Sequence, residues 1–462
     1  MTGKLRKTTR TISGVTPVAV MMKPHPCPHG RCAYCPAVNS PNSYTEKSPV
    51  VLRARRSGYD PVKQVRGRLR VLEACGHPTE KTEIIIMGGT FFGYPEDYRK
   101  EFVKGCFDAL NGFVSPSLEE AKKFNETAKR RCVGLCIETR PDFCGTDEIN
   151  EALELGCTRV ELGVQTLDDE VYEKVERGHR VRDVVRATRL LKDSAFKVFY
   201  HVMPGLFSDF EKDVKMFRRL FSCQDFRPDG LKIYPAVVVK GTKLEELYRK
   251  GEFRPYSSEE IVELLTRLKP MIPKYVRVAR VMRDIPREYI VAGSPHSHLR
   301  DAVKARMREL GLKCRCIRCR EVGYFVRDGG RIDEGAVKLC RFDYRASGGK
   351  EVFLSVEDTE NDVLISLLRL RIPFRPFRPE ITEATALVRE LHTYGPQVPI
   401  NRREEEKYQH RGYGALLLRE AERIAGEEFG MEKVVVISGV GVREYFYRFG
   451  YRPDGPYVSK EL

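Results

Sequence analysis

Three cysteines fall within nine residues in Cys27-Pro28-His29-Gly30-Arg31-Cys32-Ala33-Tyr34-Cys35, a loop broken by proline and glycine. Thiolates are soft ligands that suit an iron–sulfur cluster or zinc. A closed tetrahedral site takes four protein ligands, and this loop supplies Cys27, Cys32 and Cys35. Either a distant cysteine completes the site, or one position stays open for a substrate or cofactor. A second group, Cys314, Cys316 and Cys319 with Cys340 further on, has the makings of a structural zinc site. His296 and His298 compete with Cys340 as its fourth ligand. A hairpin of residues 321–327 and 336–339, turning at Gly329-Gly330, is expected to return Cys340 to the other three. Because this group has its own fourth candidate, the first triad can stand as three.

A different chemistry is written in Gln409-His410-Arg411-Gly412-Tyr413-Gly414-Ala415, which opens a helical run to about residue 424. Its glycines let backbone N–H groups approach a pyrophosphate, and the helix N-terminus favours negative charge. Strands are expected at 351–356, 362–371 and 385–393 before it. A strand at 433–437 and a short helix with Tyr445, Phe446 and Tyr447 follow.

The first half alternates short apolar strands with amphipathic helical segments. The strand runs are 15–22, 83–87, 133–137, 159–164, 197–203, 231–234 and 276–281. This alternation predicts a parallel sheet with crossover helices, closed or nearly closed as a barrel. Chemistry in such barrels sits at the C-terminal strand ends. The polar punctuation falls there: Gly88-Gly89-Thr90, Glu138-Thr139-Arg140-Pro141-Asp142, Gln165-Thr166, His201-Val202-Met203-Pro204-Gly205 and Lys232-Ile233-Tyr234-Pro235.

At 462 residues the chain should hold two or three domains. It contains no apolar run long enough to span a membrane, and the basic residues 1–10 lack the apolar core of a secretory signal. The net charge of +16, from 81 Lys+Arg against 65 Asp+Glu, is patchy. Arg53, Arg55 and Arg56 run into Lys63, Arg66, Arg68 and Arg70, and Arg277, Arg280, Arg283 and Arg287 form another cluster. Such clusters suit a polyanion such as RNA. Of 14 cysteines, seven stand singly and mostly in apolar runs. That pattern belongs to reduced, buried thiols and predicts a reducing, cytoplasmic setting.

The cysteine triad, the Gly-Gly-Thr and the strand–helix alternation resemble the radical S-adenosylmethionine (SAM) superfamily, although C-x4-C-x2-C departs from its commoner C-x3-C-x2-C. With Met-Gly-Gly-Thr-Phe, Glu-Thr-Arg-Pro-Asp, Gly-Val-Gln-Thr and Lys-Ile-Tyr-Pro, the chain is similar to the catalytic-subunit branch of the Elongator complex, in its prokaryotic or archaeal form. The last third resembles the GNAT acetyltransferases. The fold expected is α/β: a partial (β/α)6 radical SAM barrel followed by a GNAT-type α+β acetyltransferase domain. Residues 1–14 would be a short basic segment, 15–290 the barrel, 291–345 a linker with the zinc site, and 346–462 the acetyltransferase domain.

The resemblance implies a 4Fe–4S cluster on Cys27, Cys32 and Cys35 whose open iron binds SAM. Gly88, Gly89 and Thr90 would contact SAM, with Glu138 and Gln165. Acetyl-CoA would lie along Glu390, Leu391, His392 and Thr393, with Gln409, Arg411, Gly412, Tyr413, Gly414 and Ala415 around its pyrophosphate. Tyr445 and Phe446 would face its acyl end, where Phe446 replaces the family's second tyrosine and loses a hydroxyl. Lys81 would reach CoA from the barrel. The implied activity is carboxymethylation of the wobble uridine of tRNA. A 5′-deoxyadenosyl radical would take hydrogen from the methyl of acetyl-CoA, the carbon radical would add to uridine C5, and thioester hydrolysis would follow. Arg53, Arg55, Arg56, Arg277, Arg280 and Arg283 are expected to hold the tRNA anticodon stem-loop. Elongator-like partner subunits or a second copy of the chain are further partners. Only fourteen residues precede Val15, where the family carries a longer basic region, so weakened tRNA affinity is expected. The alternative is a protein lysine acetyltransferase with a structural cluster, using Glu390 as base.

Overall fold

The computed structural model describes residues 8–36, 40–295, 298–400 and 408–462. The β-rich runs of the first half become β1 (Thr16–Met21), β2 (Lys81–Met87), β3 (Arg131–Thr139), β4 (Arg159–Gln165), β5 (Lys197–Val202) and β6 (Gly230–Ile233). A two-residue strand β7 (Val238–Val239) precedes β8 (Arg277–Val281) and pairs with β9 (Ile290–Ala292). Strands β1–β6 and β8 form one parallel sheet in that order. That is one parallel strand more than a six-strand barrel, and β1 and β8 are free edges, so the sheet is a half barrel. Period two explains its two faces. On β4, Val160, Leu162 and Val164 pack into the apolar core, while Arg159, Glu161, Gly163 and Gln165 face the lumen side. The short helix α1 (Pro49–Arg56) follows the cysteine loop. The next, α2 (Pro61–Ala74), starts at Pro61 with the Asp60 carboxylate accepting the Lys63 N–H at 2.9 Å, a proline start with an N-cap.

The second sheet holds β10 (Val337–Ala346), β11 (Gly349–Asp358), β12 (Val363–Ile372), β13 (Thr385–Thr393), β14 (Lys433–Val436), β15 (Arg452–Asp454) and β16 (Tyr457–Glu461), in the order β10-β11-β12-β13-β14-β16-β15. Residues 322–327 are helical (Val322–Arg327), so the hairpin expected there is absent. Instead β10 pairs with β11 along its whole length. Strands β13 and β14 run parallel but pair only over Thr385–Val388 and Lys433–Val436. Beyond that, β13 continues with β12 as its only partner, and a cleft opens between β13 and β14.

The halves are joined by buried ions. Arg371 donates to Asp193 at 2.9 and 2.6 Å and to Glu351 at 2.9 Å. Arg389 donates to both oxygens of Asp229 (2.8 and 2.7 Å) and to Glu351 (2.8 Å). Lys192 lies 3.4 Å from Asp229. All are essentially solvent-free, and each is tolerated only because opposite charges and hydrogen bonds surround it. Glycines close the same interface: a Cβ on Gly439 would sit 2.3 Å from the Val133 carbonyl, and one on Gly441 2.4 Å from Arg131 Cβ. Among the described residues no helix is long and apolar enough to cross a membrane.

Candidate active site

The C-terminal strand ends border a cavity of about 100 Å³ lined by Cys27, Cys32 and Cys35. The loop's backbone is pinned from two sides: Ala33 N–H donates to Val175 O (3.0 Å), and Leu244 N–H donates to Ala33 O (2.8 Å). Each sulfur has a polar neighbour. Cys27 Sγ lies 3.6 Å from Thr90 Oγ1, and Cys35 Sγ accepts the Ser43 N–H at 3.3 Å. Cys32 Sγ lies 3.2 Å from His29 Nε2 and accepts from Arg177 Nη1 at 3.5 Å. Burial pushes the Cys32 thiol up, but Arg177 and His29 outweigh it and bring it down to about 6. Burial likewise opposes ionisation of Cys27, where His29 and Thr90 prevail and lower it. Burial dominates at Cys35 and raises it.

The three sulfurs are not gathered within 4.8 Å of one another, whereas those of Cys314, Cys316 and Cys319 are. Thiolates on one zinc ion stand about 3.8 Å apart, from a Zn–S bond of about 2.3 Å in a tetrahedron. The wide triad therefore fits a multi-iron cluster, and the tight one a single ion. Cys340 is not part of the tight group. It sits on β10 opposite Ser355, because that residue belongs to a strand paired with β11 rather than to a returning hairpin. His298 is outside the group as well, and His296 lies outside the described residues. Beside the group stands buried Lys269, whose Nζ is 3.7 Å from Cys319 Sγ.

Gly89 has a φ of 94°, and a Cβ there would meet Asn42 Cβ at 2.9 Å, so only glycine fits. Gly89, Thr90, Glu138 and Gln165 line the cavity, while Gly88 lies behind the wall against Tyr94 and Met22. Tyr44 Oη donates to Glu138 Oε2 at 2.9 Å. From Glu138 a chain of ions runs down the lumen. Lys232 Nζ is 3.4 Å from Glu138 and pairs with Glu161. Glu161 also meets His201 Nε2 at 2.8 Å and Arg159 Nε at 3.3 Å, and Arg159 Nη1 donates to Glu83 at 2.5 Å. Burial works against the Glu161 carboxylate, yet Lys232, His201 and Arg159 hold it well below its usual range.

At the opposite ends of the same strands lies a second cavity, about 650 Å³ and open to solvent. Lys81, Arg131, Thr158 and Lys197 come to it from the bottoms of the half barrel's strands. Glu390, Leu391, His392, Thr393, Gln409, Gly412, Tyr413, Gly414, Ala415, Tyr445 and Phe446 come from the cleft where β13 leaves β14. Gln409 is the clip: Oε1 accepts from Lys81 Nζ (2.9 Å) and Val398 N–H (3.0 Å), and Nε2 donates to Gly14 O (3.2 Å) and Thr393 O (3.1 Å). The helix Tyr413–Arg423 begins at Gly412, whose φ is 89°, and carries no acidic residue in its first turn. The N–H groups of its first turn have no partner within the helix and lie at the cavity, an arrangement that suits an anion. Burial brings the Lys81 ammonium down to about 8, partly opposed by Glu80. Tyr445 is raised to about 12 by burial, and its hydroxyl closes on the backbone of Gly414.

Two expected contacts fall elsewhere. Arg411 does not line this cavity; it pairs with Glu334 at 2.9 Å and lies over the Tyr408 ring. Arg277 is no surface contact for RNA: its guanidinium donates to Glu321 (2.8 Å) and Ser13 (3.1 Å) and covers Tyr394. Arg53 is half-buried on α1 with Arg55 and Arg56 exposed beside it, and Arg280 and Arg283 stand at the mouth of the cysteine cavity. Sequence reasoning missed Arg177, Glu161 and Tyr44 in the first cavity, and Arg131, Lys197 and Arg448 in the second; it placed His201 at a strand end without assigning it a role. Alternating charged residues on β4 were the available signal for the lumen.

Residues 24–221 match the model of the Radical SAM superfamily, and 228–309 that of the Radical SAM C-terminal domain. A tRNA uridine(34) acetyltransferase of Methanocaldococcus jannaschii is 52% identical over 466 residues, spanning 99% of this chain and 86% of that one. One of the same name from Dehalococcoides mccartyi is 52% identical over 464 residues, with 99% and 100% covered. Elongator complex protein 3 of Schizosaccharomyces pombe is 46% identical over 474 residues, with 99% and 87% covered. The solved archaeal Methanocaldococcus infernus Elp3 with an N-terminal deletion superposes at a TM-score of 0.88 with 49% identity, covering 98% of this chain and all of that one. With this degree of identity over nearly its whole length, the chain belongs to the Elongator complex protein 3 family of radical SAM proteins.

Proposed function

We propose that this chain is an acyltransferase that modifies the wobble uridine of tRNA, moving an acetyl-derived carboxymethyl group from acetyl-CoA to uridine C5. The observation that carries the reading is the placement of two cavities at opposite ends of one set of strands. One is lined by three separated thiols, the other by a glycine-opened helix end. Relatives named tRNA uridine(34) acetyltransferase support the substrate, and those named for the Elongator complex support partner subunits.

Cys27, Cys32 and Cys35 would hold a 4Fe–4S cluster, with Gly89, Thr90, Glu138 and Gln165 against SAM. When bound, that pair supplies one-electron cleavage of a sulfonium and, through it, hydrogen-atom abstraction. The chain's own part is to position and to shield. Tyr44 and Lys232 fix the Glu138 carboxylate, and the ion chain through Glu161 and Arg159 fills the lumen between the cavities. In the second cavity, a GNAT-type domain would offer the N–H groups of residues 413–415 to the pyrophosphate of acetyl-CoA, with Lys81 above them. A zinc ion on Cys314, Cys316 and Cys319 would be structural.

RNA would approach over α1, since Ser48 and Val50 at its start line the cysteine cavity. Burial and the neighbouring Arg10 lower the Arg53 guanidinium, and burial with Arg53 and Arg10 lowers Arg68. Cations crowded this way are relieved by an anion. Replacing Arg53 and Arg55 with alanine should weaken tRNA binding and flatten the plot of log K against log salt by about 0.7–0.9 for each phosphate no longer neutralised. Filter binding across a salt series measures it; an unchanged slope would place the RNA elsewhere.

Lysine acetylation with Glu390 as base is poorly served. Burial opposes charge on Glu390, but Lys197 at 3.0 Å and Arg369 at 2.8 Å hold it far below the usual carboxylate range, where it is a weak proton acceptor. Lys81 gives a pH test of the CoA site. Its ammonium discharges near pH 8, so CoA affinity should fall as pH rises from about 8 to about 9.5, with proton uptake on binding. Calorimetry in buffers of different ionisation enthalpy reads this, and Lys81→Ala should remove it. The function itself is tested by anaerobic reconstitution with SAM and acetyl-CoA. Wobble-uridine tRNA should stimulate SAM cleavage; stimulation by protein substrates alone sinks the reading.

A further inference from the structure

Arg177 is a buried cation whose counter-charge is not a carboxylate. The residue is 7% exposed and reaches the cysteine cavity from the loop after the helix Asp169–Lys174. Its Nη2 donates to Gly163 O at 2.5 Å, Nη1 donates to Cys32 Sγ at 3.5 Å, and Nε has no partner. Among the described residues no Asp or Glu pairs with it; the ionisable neighbours that favour its charge are Tyr34, Cys32 and Tyr172.

The backbone holds this arrangement at a cost. Glu176 takes a left-handed φ of 55°, which a residue with a side chain rarely adopts, and Gly178 takes one of 79°, which glycine adopts freely. A Cβ on Gly178 would sit 3.0 Å from Arg140 Nη2 and 3.2 Å from His29. Arg177 N–H donates to Tyr172 O at 2.8 Å, and Arg177 O accepts from Arg140 Nη1 at 2.7 Å. Strain of this kind persists only where the surroundings over-determine it. A guanidinium does not shed its proton, and removing it from water without an opposite charge is strongly unfavourable. The opposite charge here is the thiolate set, which becomes permanently negative once it holds iron.

We propose that Arg177 sets the reduction potential of the iron–sulfur cluster through Cys32; the proposal rests on the cluster reading above. Reduction adds one negative charge to the centre. A fixed cation hydrogen-bonded to a ligand sulfur stabilises that charge, and net charge and hydrogen bonds to sulfur are the levers on such potentials. Arg177 therefore raises the midpoint and eases the entry of the electron that SAM cleavage consumes. His29 Nε2, 3.2 Å from the same sulfur, is a second polar neighbour. Arg177 is a positioning residue in this scheme, since it acts through Cys32.

The test is a redox titration of the anaerobically reconstituted full chain followed by electron paramagnetic resonance, without SAM. Arg177→Met should shift the reduction equilibrium at least tenfold toward the oxidised form, a fall in midpoint of about 59 mV for a one-electron couple. Arg177→Lys, which keeps the charge, should recover most of the shift. An unchanged midpoint in Arg177→Met carrying its full iron and sulfide overturns the proposal. So does a shift that appears only after SAM is added, because Arg177 would then act on SAM. If Arg177→Met does not take up iron, Arg177→Gln fills the same space without charge and is judged by the same two results. Failure of the unsubstituted chain to bind iron and sulfide is a separate outcome, which overturns the cluster reading itself.

Discussion

Replacing Cys32 with alanine is expected to abolish SAM cleavage and uridine modification while leaving acetyl-CoA binding intact. The thiol is 5% exposed and is the one on which His29 and Arg177 converge, so its loss takes a buried ligand from the centre of the triad. The loop should nevertheless keep its path. Its anchors are backbone bonds of Ala33 to Val175 and Leu244, which do not involve the sulfur. The second cavity lies at the other ends of the strands, beyond Glu161, Arg159 and Glu83, and shares no lining residue with the cysteine cavity. Two measurements on one preparation decide it: release of 5′-deoxyadenosine, and calorimetric titration with acetyl-CoA. Retained SAM cleavage would remove Cys32 from the cluster, and a fall in CoA affinity would mean that the cavities are coupled more tightly than their geometry shows.

The second large effect is on stability. Asp193→Ala should cost about 3–5 kcal/mol, the range for stripping one partner from a buried ion pair. Asp193 Oδ1 accepts two hydrogen bonds from Arg371 and one from Phe374 N–H at 3.1 Å, and Oδ2 accepts from Arg375 N–H at 3.1 Å. Without that carboxylate, Arg371 keeps Glu351 but loses the charge contributed by the barrel half. The destabilisation therefore falls on the junction between the halves. Urea unfolding followed by intrinsic tyrosine fluorescence measures it, and a change below about 1 kcal/mol would show that the junction does not depend on this pair.

Why some of this was legible in the sequence and some not follows from how each feature is encoded. The cysteine loop, Gly89-Thr90 and the Gly412–Ala415 turn are local: few residues, special φ values and fixed spacing. The seven parallel strands were legible because each is a short apolar run between helical segments. Features assembled across the chain were not. Lys197 and Arg131 reach the second cavity from barrel strands far from the glycine turn, and Arg177 meets Cys32 across 145 residues. Arg277 misled because residues in a basic run on a strand face in alternate directions, and its own side chain turns inward to Glu321. Cys340 misled for the opposite reason. Its spacing suggested a ligand, but pairing of β10 with β11 carries it away from the other three. The stretch 322–327 reads as β-rich by composition, yet it folds as a helix packed against β12.

If the proposed function is right, carbon from acetyl-CoA ends on uridine C5. Acetyl-CoA labelled with ¹³C at the acetyl methyl should be supplied with SAM, reductant and tRNA to the reconstituted chain, followed by mass spectrometry of the digested nucleosides. The expected result is a wobble uridine that gains the label, and none in a parallel reaction without SAM. Label recovered on protein lysines, with the uridine unchanged, would contradict it.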